Sequence, residues 1–196
     1  MILALALLLQ DEWQVSFYAG KAWTLDSDLE YEDLELEDVS WEDESFESPI
    51  YYGVRAAYWR DDWGFVLDFH HAKVYLEDAR FDAVGELGIS HGYNVLTLNL
   101  AHRCRWGPLR PYGGLGLGVV IAHVEANIGA ERVSEYQVEA PAAHAMLGVE
   151  LDVLGPLGIF TEAKLAYGDL DLQVPGGTIE TNLFTPQLVA GLTLRF

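Results

Sequence analysis

The chain has 196 residues, which suits a single domain, and 51% of them are apolar. No stretch of about 18 or more uncharged apolar residues occurs, so the sequence offers no candidate for a transmembrane helix. The net charge of −20 argues against nucleic-acid binding, which needs a basic face. Cys104 is the only cysteine, which excludes an internal disulfide and any zinc or iron–sulfur site built from several cysteines.

The chain opens with its longest apolar run, Ile2 to Leu9. This run resembles the apolar region of a signal peptide, but no Lys or Arg precedes it and no clear A-x-A cleavage site follows. We therefore expect residues 1–11 to be a signal-peptide remnant or an ordinary N-terminal extension, and residues 12–196 to form the folded domain.

Apolar and polar residues alternate with a period of two along most of that domain, as is typical of β-strands with one apolar face. In chain order the predicted strands cover residues 13–23, 50–58, 63–76, 93–106, 111–124, 137–153, 157–167 and 184–196. Their apolar faces include Trp13, Phe17, Ile50, Val54, Trp63, Phe65, Leu67, Leu96, Leu98, Leu100, Leu115, Leu117, Val119, Leu147, Val149, Ile159, Leu165, Leu188, Leu192 and Leu194. Each segment can supply the roughly 9–11 residues that a tilted transmembrane strand needs.

Three connections between these strands are tight, at residues 60–62, 106–109 and 154–156, and the other four are long and polar. Short periplasmic turns and long extracellular loops are typical of outer-membrane barrels, and an even strand number leaves both termini on the periplasmic side. The sequence therefore predicts an all-β fold, an eight-stranded antiparallel up-and-down transmembrane β-barrel. We expect a monomeric, multi-pass protein in the outer membrane of a Gram-negative bacterium.

A soluble up-and-down barrel of the lipocalin type is the main alternative. A soluble barrel is apolar inside, whereas here the polar face carries charges of both signs, which can pair inside a small barrel while the apolar face meets lipid. The predicted lumen network consists of Arg55, Asp68, Arg103, Glu150, Glu162, Lys164 and Arg195. We assign these residues a structural role and expect no open pore, because side chains fill the interior of an eight-stranded barrel.

An acidic extracellular loop is predicted at residues 24–49. Twelve carboxylates and no basic residue lie between Asp26 and Glu47. Interleaved apolar residues such as Leu29 and Leu36 would allow part of the loop to form a projecting hairpin. Dense carboxylates bind hard divalent cations, which also bridge lipopolysaccharide phosphates. The loop lacks EF-hand spacing, so a solvated, self-repelling loop is the favoured interpretation.

The apolar faces of two strands turn polar near their outer ends. In the third strand the lipid-facing positions continue as His71, Lys73 and Tyr75, and in the fifth as His123 and Glu125. The strand between them contributes Asn94 on the same face, and His91 if Gly92 forms a β-bulge. Polar side chains facing lipid are costly, so this cluster predicts either snorkelling at the interface or a functional site.

Histidine serves as a general base or a metal ligand near neutral pH, and two or three histidines with a carboxylate can hold a divalent transition metal. We therefore predict His71, His91, His123 and Glu125 as catalytic residues and as tentative metal ligands. Lys73, Asn94 and Tyr75 are predicted to bind substrate, and Lys73 in particular can pair with a phosphate. The lipid beside the cluster is the natural substrate.

The chain resembles the lipid A oxidase group of small outer-membrane β-barrel proteins in five segments: DFHHAKVY at residues 68–75, SHGYNVLTLN at 90–99, PYGGLGLG at 111–118, HVE at 123–125, and residues 177–187. The resemblance implies oxidation of the proximal glucosamine of lipid A by molecular oxygen, with release of hydrogen peroxide, and lipid A or lipopolysaccharide as the partner. On that resemblance the positions that match the group are His71, Lys73, His91, Asn94, His123 and Glu125. His144 stands where we expect Gln and Pro186 where we expect His, and the second departure affects a possible ligand.

Two other functions remain open. One is a non-enzymatic barrel that stabilises the envelope or binds cations or surfaces through its acidic loop. The other is a lipid A deacylase, which needs a His–Ser pair; the available Ser90 and His91 are sequence neighbours, which point to opposite faces of a regular strand. The sequence shows no flavin or nicotinamide motif.

Overall fold

The computed structural model describes residues 11–78, 80–81 and 85–196, except for the side chains of Ser90, His91 and Ala140. The predicted signal remnant or extension, residues 1–11, lies outside the described residues apart from Asp11, which begins the first strand. Within the described ranges, no helix has the length and apolar character that crossing a membrane requires.

Strands make up nearly all of the described chain. They are β1 (Asp11–Ala22), β2 (Ser27–Tyr31), β3 (Leu34–Glu42), β4 (Tyr52–Arg60), β5 (Trp63–Glu77), β6 (Gly85–Arg103), β7 (Leu109–Ile128), β8 (Glu131–Leu154), β9 (Leu157–Val174) and β10 (Gly177–Arg195). Eight of them close a ring of antiparallel pairs in the order β1, β4, β5, β6, β7, β8, β9, β10 and back to β1. The predicted eight-stranded antiparallel barrel is confirmed.

The two remaining strands come from the acidic segment. β2 and β3 pair with each other, and they also pair with β10 and β5 respectively. The hairpin therefore continues the barrel wall above β1 and β4, between β10 and β5. Residues 24–49 thus contain two strands of the wall, which is the hairpin that the interleaved apolar residues allowed.

The other outer connections are long hairpins. β7 and β8 extend beyond their predicted ends to a turn that includes Gly129, and β9 and β10 extend to a turn that includes Gly176. Both glycines have positive φ, +62° and +88°, which glycine adopts without a steric penalty. Antiparallel pairing satisfies the backbone N–H and C=O groups of these segments, so they continue as strands above the membrane.

The inner half of the barrel, nearest the termini and the tight turns, is apolar outside and polar inside. Leu117 is 72% exposed, and Trp13, Phe65 and Leu147 are also exposed on the outer face. In water this continuous apolar surface would be a very large exposed patch. The soluble-barrel alternative is therefore excluded, and this surface is the one that meets lipid.

The outer half shows the opposite arrangement. Leu29, Val39, Ile179 and Leu183 of the upper wall point inward and are fully or almost fully buried in one apolar core. The alternating positions of the same strands, such as Glu30, are exposed outside. An apolar interior and a charged exterior are what a barrel needs in water, so the wall leaves the membrane where the pattern inverts.

Candidate functional site: an outer polar cluster on the lipid-facing wall

The charged residues inside the inner half form a closed network of ion pairs. Arg55 donates from Nη1 to Glu162 Oε2 at 2.9 Å and from Nε to Asp68 Oδ2 at 2.8 Å. Lys164 Nζ donates to Asp68 Oδ1 at 2.8 Å. These four side chains are buried. Each buried charge of this set has an opposite partner, which offsets the large cost of removing a charge from water.

A second group of pairs closes the periplasmic end of the lumen. Arg195 pairs with Glu150, and Arg103 pairs with Glu12. Arg110 Nε lies 2.9 Å from Asp152 Oδ1. Glu12 and Arg110 were not among the predicted lumen residues, and the structure adds them to the network.

The lumen between these two groups is filled. A cavity in the lumen has a volume of about 20 Å³, room for roughly one water molecule. It is lined by Gln14, Ser16, Tyr112 and other side chains of the lower wall. The candidate site therefore lies elsewhere, on the outer surface.

The second polar group, which we call the outer polar cluster, contains His71, Lys73 and Tyr75 of β5, Asn94 of β6, and His123 and Glu125 of β7. The strand registers bring these residues to neighbouring positions, because His71 is paired with Asn94, and Gly88 is paired with both Tyr75 and Glu125.

A β-bulge in β6 shapes this cluster. The pairing with β5 jumps from Ile89 to Tyr93, and the pairing with β7 jumps from Gly88 to Tyr93. Gly92 within the bulge has a φ of +143°, and a Cβ there would lie 2.1 Å from Asn94 Nδ2. Only glycine fits this close approach. The bulge that the sequence analysis required for His91 is present, but the His91 side chain lies outside the described residues and its direction stays a prediction.

Hydrogen bonds and ring contacts hold His71 in place. Asn94 Oδ1 lies 2.8 Å from His71 Nδ1, and Asn94 Nδ2 donates to the Ile121 carbonyl oxygen at 3.0 Å. The Tyr52 ring stacks on the His71 ring with 5.1 Å between centroids. His71 therefore belongs to a rigid arrangement that spans β4 to β7.

His123 and Glu125 lie next to each other on β7. His123 Nδ1 is 3.9 Å from Glu125 Oε1, and the His123 ring meets the Tyr136 ring edge-on at 4.5 Å between centroids. An imidazole beside a carboxylate is an arrangement in which histidine can act as a general base.

Lys73 is held by a residue that the sequence analysis did not select. Its Nζ lies 2.9 Å from Glu44 Oε2. The hydrogen bond from Lys73 lowers the pKa of Glu44 below its ordinary value. Glu44 is one of twelve carboxylates in the acidic segment, so no spacing signal distinguishes it from the others.

The outer polar cluster occupies outward-facing strand positions, and half of it is buried. His71 and Lys73 are each only 4% exposed and Asn94 is 8% exposed, whereas Tyr75, His123 and Glu125 are partly exposed. Exposed apolar side chains lie on the neighbouring segments: Phe46 and Ile50 before β4, and Tyr136 and Val138 on β8. Apolar and aromatic side chains of this kind are typical of the boundary between lipid and water.

Histidines and carboxylates suit a transition metal. Among the residues whose side chains are described, no group of three or more His, Cys, Asp or Glu is arranged to hold a metal ion. The predicted set of His71, His91, His123 and Glu125 includes one side chain outside the description, so this metal site stays a prediction.

The two departures from the lipid A oxidase pattern lie away from the cluster. His144 is buried in the lumen, where its Nδ1 is 2.8 Å from Asn99 Oδ1. Pro186 lies on β10, which β1 and β4 separate from β5 in the ring. Neither position contributes to the contacts described for His71 or His123.

No family model and no curated protein matches the sequence. Three solved structures share its fold. The outer membrane protein AlkL, determined in lipid bilayers, gives a TM-score of 0.56 at 17% identity, with 95% of this chain and 90% of that chain covered. Neisserial surface protein A gives 0.53 at 13% identity, with 95% and 97% covered. The N-terminal β-barrel domain of Pseudomonas aeruginosa OprF gives 0.50 at 14% identity, with 96% and 99% covered.

At these identities the likeness establishes the fold and nothing about activity. The fold is that of small outer-membrane β-barrel proteins. Together with the apolar outer surface of the inner half, it places the chain in a bacterial outer membrane, which it crosses eight times.

Proposed function

We propose that this chain is an outer-membrane enzyme that modifies lipid A at the outer polar cluster. The observation that carries the proposal is a set of buried polar side chains on the lipid-facing wall, between exposed apolar flanks. Polar groups at such a depth are costly and mark functional sites by default. The headgroup of an outer-leaflet lipid is the ligand that reaches this position without leaving the membrane.

The proposed reaction is oxidation of the proximal glucosamine, as the resemblance to lipid A oxidases implies. The anomeric carbon of a sugar with a free anomeric hydroxyl loses two electrons and two protons to molecular oxygen, which becomes hydrogen peroxide, and water then opens the resulting lactone to the aminogluconate, which is one oxygen atom heavier than the sugar. In this reaction His123, which lies beside Glu125, would accept the proton of the anomeric hydroxyl. His71 and Asn94 would hold neighbouring hydroxyl groups, and Lys73 would bind a headgroup oxygen.

Mass spectrometry of lipid A tests the proposal. The intact protein, expressed in a host with unmodified lipid A, should convert part of the lipid A to a product one oxygen atom heavier. His123→Ala should abolish the product, because the proposed base is lost. His102→Ala is the matched control, since His102 also faces outward but lies beside Trp63 at the other end of β6. An unchanged lipid A mass with the intact, folded protein would reject the enzyme.

One observation favours the non-enzymatic alternative of surface or cation binding. Glu30 is paired directly with Glu35 and with Glu180, and all three are exposed. Like charges directly opposite each other are destabilising, so this row attracts counter-ions. If the alternative holds, the triple variant Glu30→Gln, Glu35→Gln and Glu180→Gln should lose the surface or cation binding, while His123→Ala should keep it.

The deacylase proposal ranks third, because it depends on Ser90 and His91, whose side chains lie outside the described residues.

A further inference from the structure

The segment between β3 and β4 projects from the barrel beside the outer polar cluster. We call residues 45–51 the outer loop. Its base is fixed: Ala22 N donates to Ser45 Oγ at 3.0 Å, and Tyr51 N donates to the Ser45 carbonyl oxygen at 2.8 Å. Tyr51 is buried, and its hydroxyl donates to Gln187 Oε1 at 2.5 Å. The loop therefore has a rigid base and a short projecting tip.

The tip of the outer loop exposes two large apolar side chains, on either side of the exposed Glu47 and Ser48. Phe46 is 73% exposed and Ile50 is 50% exposed. Moving a Phe or Ile side chain from water to an apolar environment is favourable by about 1.5–3 kcal/mol. Presenting both side chains from a fixed base would be unfavourable in water, whereas in a bilayer the same arrangement anchors the loop.

Continuity along the wall identifies what covers these side chains. Ile50 extends the outward row of β4 that includes Tyr52 and Val54, which are also exposed. That row belongs to the apolar surface that meets lipid. The hydrocarbon of the outer leaflet is therefore the partner that fits Phe46 and Ile50, because the outward row of β4 contacts the same hydrocarbon.

The loop is also connected to the outer polar cluster. Glu44 immediately precedes Ser45 and binds Lys73 at 2.9 Å. Asp43, one residue earlier, accepts a hydrogen bond at 2.9 Å from the Thr24 hydroxyl. Because Glu44 lies between two fixed residues, the position of the loop sets the position of the Lys73 ammonium.

We infer that the outer loop is a membrane anchor: Phe46 and Ile50 insert into the outer leaflet, and the Glu44–Lys73 pair holds the outer polar cluster at the depth of the lipid headgroups. The insertion of Phe46 and Ile50 is inferred from the position of the barrel in the membrane and does not depend on the proposed function. The role of the insertion, which is to present the cluster to a lipid headgroup, rests on the proposed function.

Site-directed spin labelling in phosphatidylcholine vesicles tests the insertion. In a Cys104→Ser background, single cysteines replace Phe46, Leu117 and Glu32, and each carries a nitroxide. Leu117 is the control for lipid exposure, and Glu32, in the turn between β2 and β3, is the control for water exposure. We expect the ratio of oxygen to water-soluble nickel collisions at position 46 to shift toward that at position 117. A ratio equal to that at position 32 would overturn the inference.

Two further results separate the possible outcomes. A label at position 46 that is shielded from both oxygen and nickel, with a dimer on native mass spectrometry, would mean that a second copy covers the loop, and the inference would be wrong. The Phe46→Ser/Ile50→Ser double variant should lower the yield of modified lipid A while keeping the heat-modifiable band of the folded barrel. If position 46 is inserted but the intact protein leaves lipid A unchanged, the membrane anchor is supported and the proposed enzymatic function is wrong.

Discussion

The Lys73–Glu44 pair joins the barrel wall to the segment that precedes β4. Lys73 is buried although it faces outward, and its Nζ lies 2.9 Å from Glu44 Oε2. An ammonium group removed from water needs such a charged partner. The pair therefore joins two elements of the chain, β5 and the segment after β3, in one polar surface.

Acidification should break this pair. The Lys73 hydrogen bond holds the pKa of Glu44 below its ordinary 4.5, so the pair stabilises the folded protein above pH 4.5 and is lost as the pH falls through the lowered value. We expect the Glu44 carboxyl carbon, followed by NMR, to titrate below pH 4.5 in the intact protein and closer to 4.5 in Lys73→Met. Identical titration in the two proteins would contradict the pairing.

The β2–β3 hairpin is the element that departs furthest from a simple eight-stranded ribbon. Leu29, Leu36 and Val39 point into the outer core and are buried, and the Trp41 indole N–H donates to Ser27 Oγ at 2.9 Å. These contacts explain how a segment with twelve carboxylates stays folded. Carboxylates such as Glu30 and Glu35 lie on the water-exposed face, and burial of the intervening apolar residues offsets the mutual repulsion of the carboxylates.

A buried charge should detach this hairpin without unfolding the membrane-embedded half. Leu29→Asp places an unpaired carboxylate in the apolar core, a change that costs several kcal/mol. We expect a glutamate-specific protease to cut the variant between residues 30 and 47 while the remaining barrel keeps its heat-modifiable band. Glu30→Ala, which changes the exposed neighbour on the same strand, should resist cleavage like the intact protein. Equal cleavage of both variants would show that position 29 does not hold the hairpin.

The barrel wall has two halves whose inward and outward faces differ in polarity. The inner half is polar inside and apolar outside, and the outer half is apolar inside and acidic outside. In strands that continue through both halves, such as β5, β9 and β10, the inward side chains change from polar to apolar along the strand. The outer polar cluster lies on β5, β6 and β7 near the level of this change.

A positive charge on the outward face should lower the free energy of unfolding far more in the inner half than in the outer half. Leu117→Arg places a cation in the hydrocarbon region and should lower the free energy of unfolding by about 2–4 kcal/mol. Glu180→Arg, also outward but on the acidic upper wall, should change it by about 0.5 kcal/mol or less, as exposed substitutions usually do. Denaturant unfolding in lipid vesicles measures both. Equal losses would contradict the placement of the membrane boundary.

The alternation of single residues determined which side of each strand looks outward. Trp13 and Phe17 against Gln14 and Ser16 already separate the two faces of β1 in the sequence, and the eight-stranded barrel follows from repetition of this pattern. The positions of His71, Lys73, His123 and Glu125 on the outward face follow in the same way, because a period of two is a local property of the chain.

Tertiary pairing decided the rest. The sequence does not show that β2 and β3 lie between β10 and β5, or that Glu44 rather than another of the twelve carboxylates reaches Lys73, because these contacts join segments that are distant along the chain. Nor does alternation give the height at which the wall leaves the membrane. The same apolar pattern occurs in a sequence whether the face contacts lipid or a protein core. Only the folded barrel shows which of the two each apolar face contacts.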